Sequence, residues 1–128
     1  MLAGFVVFIG AATLLNLLMR SRWRAYASVE AAMNFTNGMM AARLLVGVAA
    51  TFAAGAVVAR VSRGDSRSIW AFGLLMLGLF CAEHYALWHR LPIWYHIVWL
   101  GSILPMTLAG AEWGGRRLSP SRQPGDRR

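Results

Sequence analysis

Four long apolar stretches alternate with short polar ones, at residues 2–19, 43–60, 69–88 and 93–113. Each is a continuous apolar run rather than an alternation of inward and outward positions, so each predicts a helix and not a barrel strand. A helix needs about 20 residues to cross roughly 30 Å of hydrocarbon, and every stretch is close to that length. The pattern predicts an all-α fold of one domain. A four-helix transmembrane bundle occupies residues 1–113, and a disordered basic tail occupies 114–128. Span one follows an uncharged N-terminus with no small-residue cleavage site, so it reads as a retained helix and not a removed signal peptide.

Polar positions divide the rest of the chain. Arg20, Arg22, Trp23, Arg24 and Tyr26 form a basic-aromatic cluster of the kind found at headgroup level. Residues 25–33 favour helix but contain Glu30, and residues 34–38 read as a break. This segment is expected to be an interfacial helix before span two, with its arginines toward lipid phosphates. The rival is one long helix from about residue 25 to residue 60. Residues 61–68 form a wet loop. His89, Arg90, Leu91 and Pro92 form a tight turn between spans three and four. Pro105 removes a donor inside span four, where a kink is expected. Tryptophans at span ends, Trp23, Trp70, Trp88, Trp94 and Trp113, are the expected interface anchors.

Small residues supply the packing signal. Gly47, Thr51, Gly55 and Ala59 recur every four residues in span two and share one face. Such a face lets backbones approach closely, which matters because lipid provides little hydrophobic drive between helices. The spacing does not separate packing within one chain from packing between chains. A homo-oligomer, or a place in a larger membrane complex, is expected through this face. Arg43, just inside the start of span two, is expected to snorkel outward.

Composition sharpens the membrane reading. Hydrophobic residues make up 58% of the 128 residues and charged residues 14%, against about 25% charged in soluble domains. The net charge is +8, and every basic residue is arginine. The arginines sit at helix ends and in the tail, so the expected partners are the bilayer and its anionic headgroups, not nucleic acid. Arginine without lysine, together with abundant alanine, resembles the coding bias of a GC-rich bacterium. The expected location is therefore a bacterial inner membrane, in multi-pass form.

Candidate chemistry lies in the second hairpin: Cys81, Glu83, His84, His89, Tyr95 and His96. With the turn centred near Arg90, His84 and His96 are six residues from it on either side. Both lie about 9 Å along their helices at 1.5 Å per residue. Tyr85 and Tyr95 match in the same way. Cys81, His84, Tyr85 and Trp88 share one face of span three, and Tyr95, His96, Trp99 and Ile103 share one face of span four. If those faces meet, the two histidines touch. Glu83 lies about 100° around its helix, toward another neighbour or lipid. A carboxylate within a span is costly. It marks either a protonatable or cation-binding site with His84, Tyr95 and His96, or a hydrogen bond that locks the hairpin. Asn16 near the end of span one either meets interfacial water or bonds another helix.

No metal and no cofactor are expected, because the histidines, cysteine and carboxylate have no recognised ligand spacing. A single cysteine in an apolar setting is a packing residue rather than a nucleophile. No nucleophile elbow, glycine-rich phosphate loop or His-Glu-x-x-His is present, so no enzyme is expected. Length and four-span plan resemble two families of small bacterial transport proteins, the fluoride channels and the small multidrug transporters, in architecture alone. The glycine and asparagine pattern of the first is missing, as is the span-one acid of the second. The expected function is a non-enzymatic accessory or interaction subunit. The alternative is a small oligomeric transporter or channel with a proton or cation site at Glu83, His84 and His96.

Arginine counts on the two sides of the membrane are nearly tied, with the distal tail tipping both termini toward the cytoplasm. A reporter active on one side only, fused to Arg128, is expected to score cytoplasmic. Signal from both sides would mean dual insertion, and signal from the outside alone would refute the assignment.

Overall fold

The structure, a computed structural model, describes residues 1–116. Five helices follow in order: α1 (Leu2–Arg22), α2 (Arg24–Val29), α3 (Asn37–Val61), α4 (Ser66–Ala86) and α5 (Ile93–Arg116). No strand occurs among the described residues. Helices α1, α3, α4 and α5 are long and apolar enough to cross a membrane, as the apolar pattern predicts.

Helices α1, α3 and α5 overrun their apolar stretches, and α4 starts before its stretch and ends at Ala86, because helix formation continues until the backbone meets a cap or a turn. Thr36 caps α3 by accepting the Met39 N–H at 3.3 Å. Asp65 caps α4, accepting the Ser68 N–H at 2.9 Å and the Ser68 hydroxyl at 2.6 Å. These hydrogen bonds, that from the hydroxyl first, hold its carboxyl below the usual carboxylate range. The loop before it turns through left-handed Arg63 and Gly64, and the Gly64 N–H closes α3 on the Ala59 carbonyl at 2.8 Å. Met33 is also left-handed. It separates α2 from α3, so the chain does not form the single long helix from residue 25. Asn37 and Gly38, read from the sequence as part of the break, already belong to α3.

Helices α3 and α5 form the centre of the molecule. A methyl group on Gly55 would strike the Thr107 backbone, and one on Gly110 would strike the carbonyl of Phe52. Gly114 rests on the backbone of Ala56, and Gly47 receives the ring of Trp99. Thr51 adds no unsatisfied polar group, since its hydroxyl donates to the Gly47 carbonyl at 2.8 Å. The face of Gly47, Thr51, Gly55 and Ala59 is buried, and α5 covers its glycines within the same chain. The glycines of this face therefore pack against α5 within one chain, one of the two alternatives that the spacing leaves open.

The tail boundary also moves. Helix α5 runs through Pro105 to Arg116, and Gly114 is buried in the seam. The expectation of disorder therefore fails for residues 114–116, and for 117–128 it lies outside the described residues. Glu112 and Arg116 pair at 3.5 Å, i to i+4, at a largely exposed site.

Below the polar end, Ala54, Val58, Phe72, Met76 and Ile103 form an apolar core. Helix α1 lies against this body at its start, where Gly4 abuts Val58 and Phe72 and Phe5 meets Phe72 edge-on at 5.3 Å. The rest of α1 is exposed apart from partial contacts. Lipid covers such a surface in a membrane protein.

Replacing Gly110 with alanine is expected to destabilise the folded protein by about 1–3 kcal/mol, the usual range for overpacking. Gly10 and Gly78 have open space around them, and alanine there should leave stability unchanged or slightly raised. Denaturation in mixed micelles measures all three. Equal effects at the three positions would show that the seam is not closely packed.

Candidate functional site

Strict alternation of four spans brings the end of α1, the start of α3, the end of α4 and the start of α5 to one side of the bundle. A cavity of about 350 Å³ opens there. Helix α1 supplies Phe8, Ala12, Asn16 and Arg20, and α3 supplies Arg43 and Gly47. Helix α4 supplies Phe80, Glu83 and His84, and α5 supplies Tyr95 and Trp99.

One wall is a hydrogen-bonded network that begins outside the spans. Tyr26 of α2 is fully buried. Its hydroxyl donates to Asn16 Oδ1 at 3.1 Å and accepts from an Arg43 Nη1 donor at 2.7 Å. Asn16 Nδ2 donates to Glu30 Oε1 at 3.2 Å, and Arg20 Nε lies 3.0 Å from Glu30 Oε2. Arg43 stands 4.0 Å from Glu30 Oε1, lies over the Phe35 ring at 4.9 Å and interacts with Tyr95. Burial pushes the Tyr26 hydroxyl above its ordinary value of 10.0.

The opposite wall is the second hairpin. His84 Nδ1 and His96 Nδ1 are 2.7 Å apart, the contact expected from counting outward from the turn. His96 is sealed, with Trp88 stacked on it at 4.9 Å, while His84 borders the cavity. Stacking on Tyr95 and Trp99 orients the His84 ring. One Nδ1 must donate and the other accept. If His84 donated, His96 would carry its proton on Nε2, which is buried without a partner. Buried N–H groups are rarely left unpaired. The assignment with fewer orphans has His96 donating to His84, which leaves an N–H on His84 Nε2 for the cavity.

The inner end is aromatic. Phe80 meets Phe8 at 5.5 Å and Trp99 at 5.3 Å, both edge-on. Trp99 is buried, and its Nε1 has no partner. Glu83 borders the cavity and has no hydrogen-bond or ion-pair partner among the described residues.

Several sequence expectations change here. Arg43 turns inward instead of snorkelling, because Tyr26 and Glu30 offer it partners. Asn16 takes the cross-helix alternative. Glu83 faces the cavity between α1 and α4. Tyr85 is 84% exposed and does not meet Tyr95. Cys81 is exposed on α4 rather than packed, and His89 is exposed in the turn. Trp23, Trp70, Trp88, Trp94 and Trp113 stand partly exposed at or near helix ends. No three histidine, cysteine or carboxylate side chains converge as metal ligands among the described residues. Tyr26, Glu30 and Arg43 were not recognised as a unit. The available signal was the alternation of spans, which requires the ends of α1 and α4 to share a side.

No protein-family model, curated protein or solved structure matches this chain. The site is therefore read from its own geometry.

Tyr26→Phe removes the hydroxyl that links Asn16 and Arg43, and is expected to destabilise the protein by about 1–3 kcal/mol. Because the folded-state value of Tyr26 is raised, its contribution is intact below pH 10.0 and is lost as pH rises through the folded-state value. Denaturation of wild type and Tyr26→Phe across that alkaline range measures both effects. A Tyr26→Phe protein as stable as wild type would refute the role of the network.

Proposed function

We propose that the chain is a non-enzymatic integral membrane accessory protein that holds an amphipathic molecule in its one-sided cavity, rather than passing a solute across the membrane. The observation that carries this reading is the closed inner end. Phe8, Phe80 and Trp99 interlock there, with the apolar core of α3, α4 and α5 beneath. A solute entering between Arg20 and Glu83 would meet aromatic rings and then close-packed side chains. The cavity wall is polar at its mouth and apolar at its inner end, which suits a ligand with a polar head and an apolar body.

A second reading rests on one specific contact. The short His84–His96 pair beside Glu83 is suited to passing a proton from one ring to the other. That arrangement would serve a proton-coupled transporter if a path continued to the other side.

Purified protein in liposomes separates the two readings. Proton and cation flux are expected to stay at the level of empty vesicles for wild type, Glu83→Gln and His84→Ala alike. Flux in wild type that both variants abolish would overturn the accessory reading in favour of transport.

A further inference from the structure

The cavity carries more information than its shape. Its formal charges come from Arg20 and Arg43 on one wall and Glu83 on the other, with Glu30 behind the arginines. Arg20 and Arg43 share Glu30. A guanidinium has five N–H donors, and Tyr26 and Tyr95 engage Arg43, so donors remain for a ligand. Trp99 borders the same space with its ring, while its Nε1–H is sealed away from it. His84 adds an Nε2–H in the assignment above. These are donors of two kinds, guanidinium and imidazole, around one volume. Across from the arginines, on the same helix as His84, stands a single carboxylate, the exposed Glu83, without a partner among the described residues.

Consider what could satisfy all of these groups. A purely anionic head would use the donors but leave Glu83 unpaired beside it, a repulsive arrangement. A purely cationic head would pair with Glu83 but face Arg43 and leave the donors unused. A head carrying both signs answers both walls. Phosphate oxygens accept from Arg43, which suits them through its planar fork, and an ammonium with N–H donors bonds the Glu83 carboxylate. The inner end then needs an apolar tail against Phe8, Ala12 and Phe80. At about 350 Å³ the cavity takes a head and the first part of a chain. The remainder would lie along exposed apolar α1, where Leu14 and Leu17 already face outward.

We infer that the cavity binds a zwitterionic phospholipid with a primary-ammonium headgroup of the phosphoethanolamine class, phosphate toward Arg43 and ammonium toward Glu83. This rests on the proposal that the cavity is a ligand site. Bilayer lipid reaches it from the mouth side without crossing water, and the free headgroup, lacking the tail, has no contact with the aromatic end.

The test uses the full-length protein in detergent with defined lipids, read by native mass spectrometry of retained lipid. The probes are phosphatidylethanolamine, phosphatidylcholine and phosphatidylglycerol, each with the same acyl chains, and free phosphoethanolamine. Wild type is expected to retain the ethanolamine lipid roughly tenfold better than either of the others, and the free headgroup not measurably. Glu83→Gln is expected to lose that preference over the choline lipid, a fall of roughly tenfold for one charge-assisted hydrogen bond. Glu83 supports no other described side chain, so this variant should fold. Ala12→Phe fills the cavity without altering a polar group, and is expected to abolish retention of all three lipids.

Preferred retention of phosphatidylglycerol, lost in Ala12→Phe, would overturn the zwitterion and leave the cavity as a ligand site. Retention of every lipid unchanged by both Ala12→Phe and Glu83→Gln would overturn the cavity reading itself. Binding of free phosphoethanolamine equal to that of the lipid would overturn the requirement for a tail.

Discussion

Contact between α3 and α5 determines where nearly everything else lies. In lipid, apolar side chains gain little by leaving one hydrocarbon environment for another, so helices associate through close van der Waals packing. Here the closeness comes from glycine. Gly55 and Gly110 put bare backbone against the backbone of the opposite helix, and Gly47 admits a whole indole ring. Placing Trp99 in that recess sets the rotation of α5, and the rotation carries Tyr95 and His96 to fixed positions one turn toward the helix start. Helix α4 then has to bring His84 against His96, and the stacked rings of Trp88, Tyr95 and Trp99 hold that register.

Polar groups gather at the end of the bundle where this seam widens. Arg43 follows from its place in sequence: one turn before Gly47, it looks past the Trp99 ring toward Tyr26 and Glu30. A half-buried guanidinium without partners would be costly. The residues between α1 and α3 supply them, and the left-handed turn at Met33 folds α2 back far enough to do so. The same residues tether α1, through Asn16 and Arg20. The network serves as a structural clasp at one edge of the cavity, and its remaining donors give that edge a positive character.

Span count and helical class were legible because continuous apolar runs of this length have one structural solution in lipid. The His84–His96 contact was legible because a short turn fixes equal depth on two antiparallel helices. Faces were harder. A period of 3.6 residues says which residues lie together but not what they face, so Cys81 and Tyr85 were grouped with His84 although both are exposed. Glycine spacing likewise identified a packing face in α3 without its partner, and the matching glycines, Gly110 and Gly114, lie far away in sequence on α5. Arg43, Tyr26 and Glu30 escaped notice for a different reason. Basic and aromatic residues near a span end normally face headgroups, and only a fold that returns α2 onto α3 gives them to one another.

Helix α1 completes the argument about the cavity. Among the described residues its single buried position is Gly4, where a missing side chain lets it touch Val58 and Phe72. At its other end it is held by polar bonds to Glu30 and Tyr26. Between these two attachments it packs along α3 and meets α4 through Phe8 and Phe80, with the cavity beside that contact. Arg43 belongs to both clasp and cavity, bonded to Tyr26 in the clasp and lining the cavity wall.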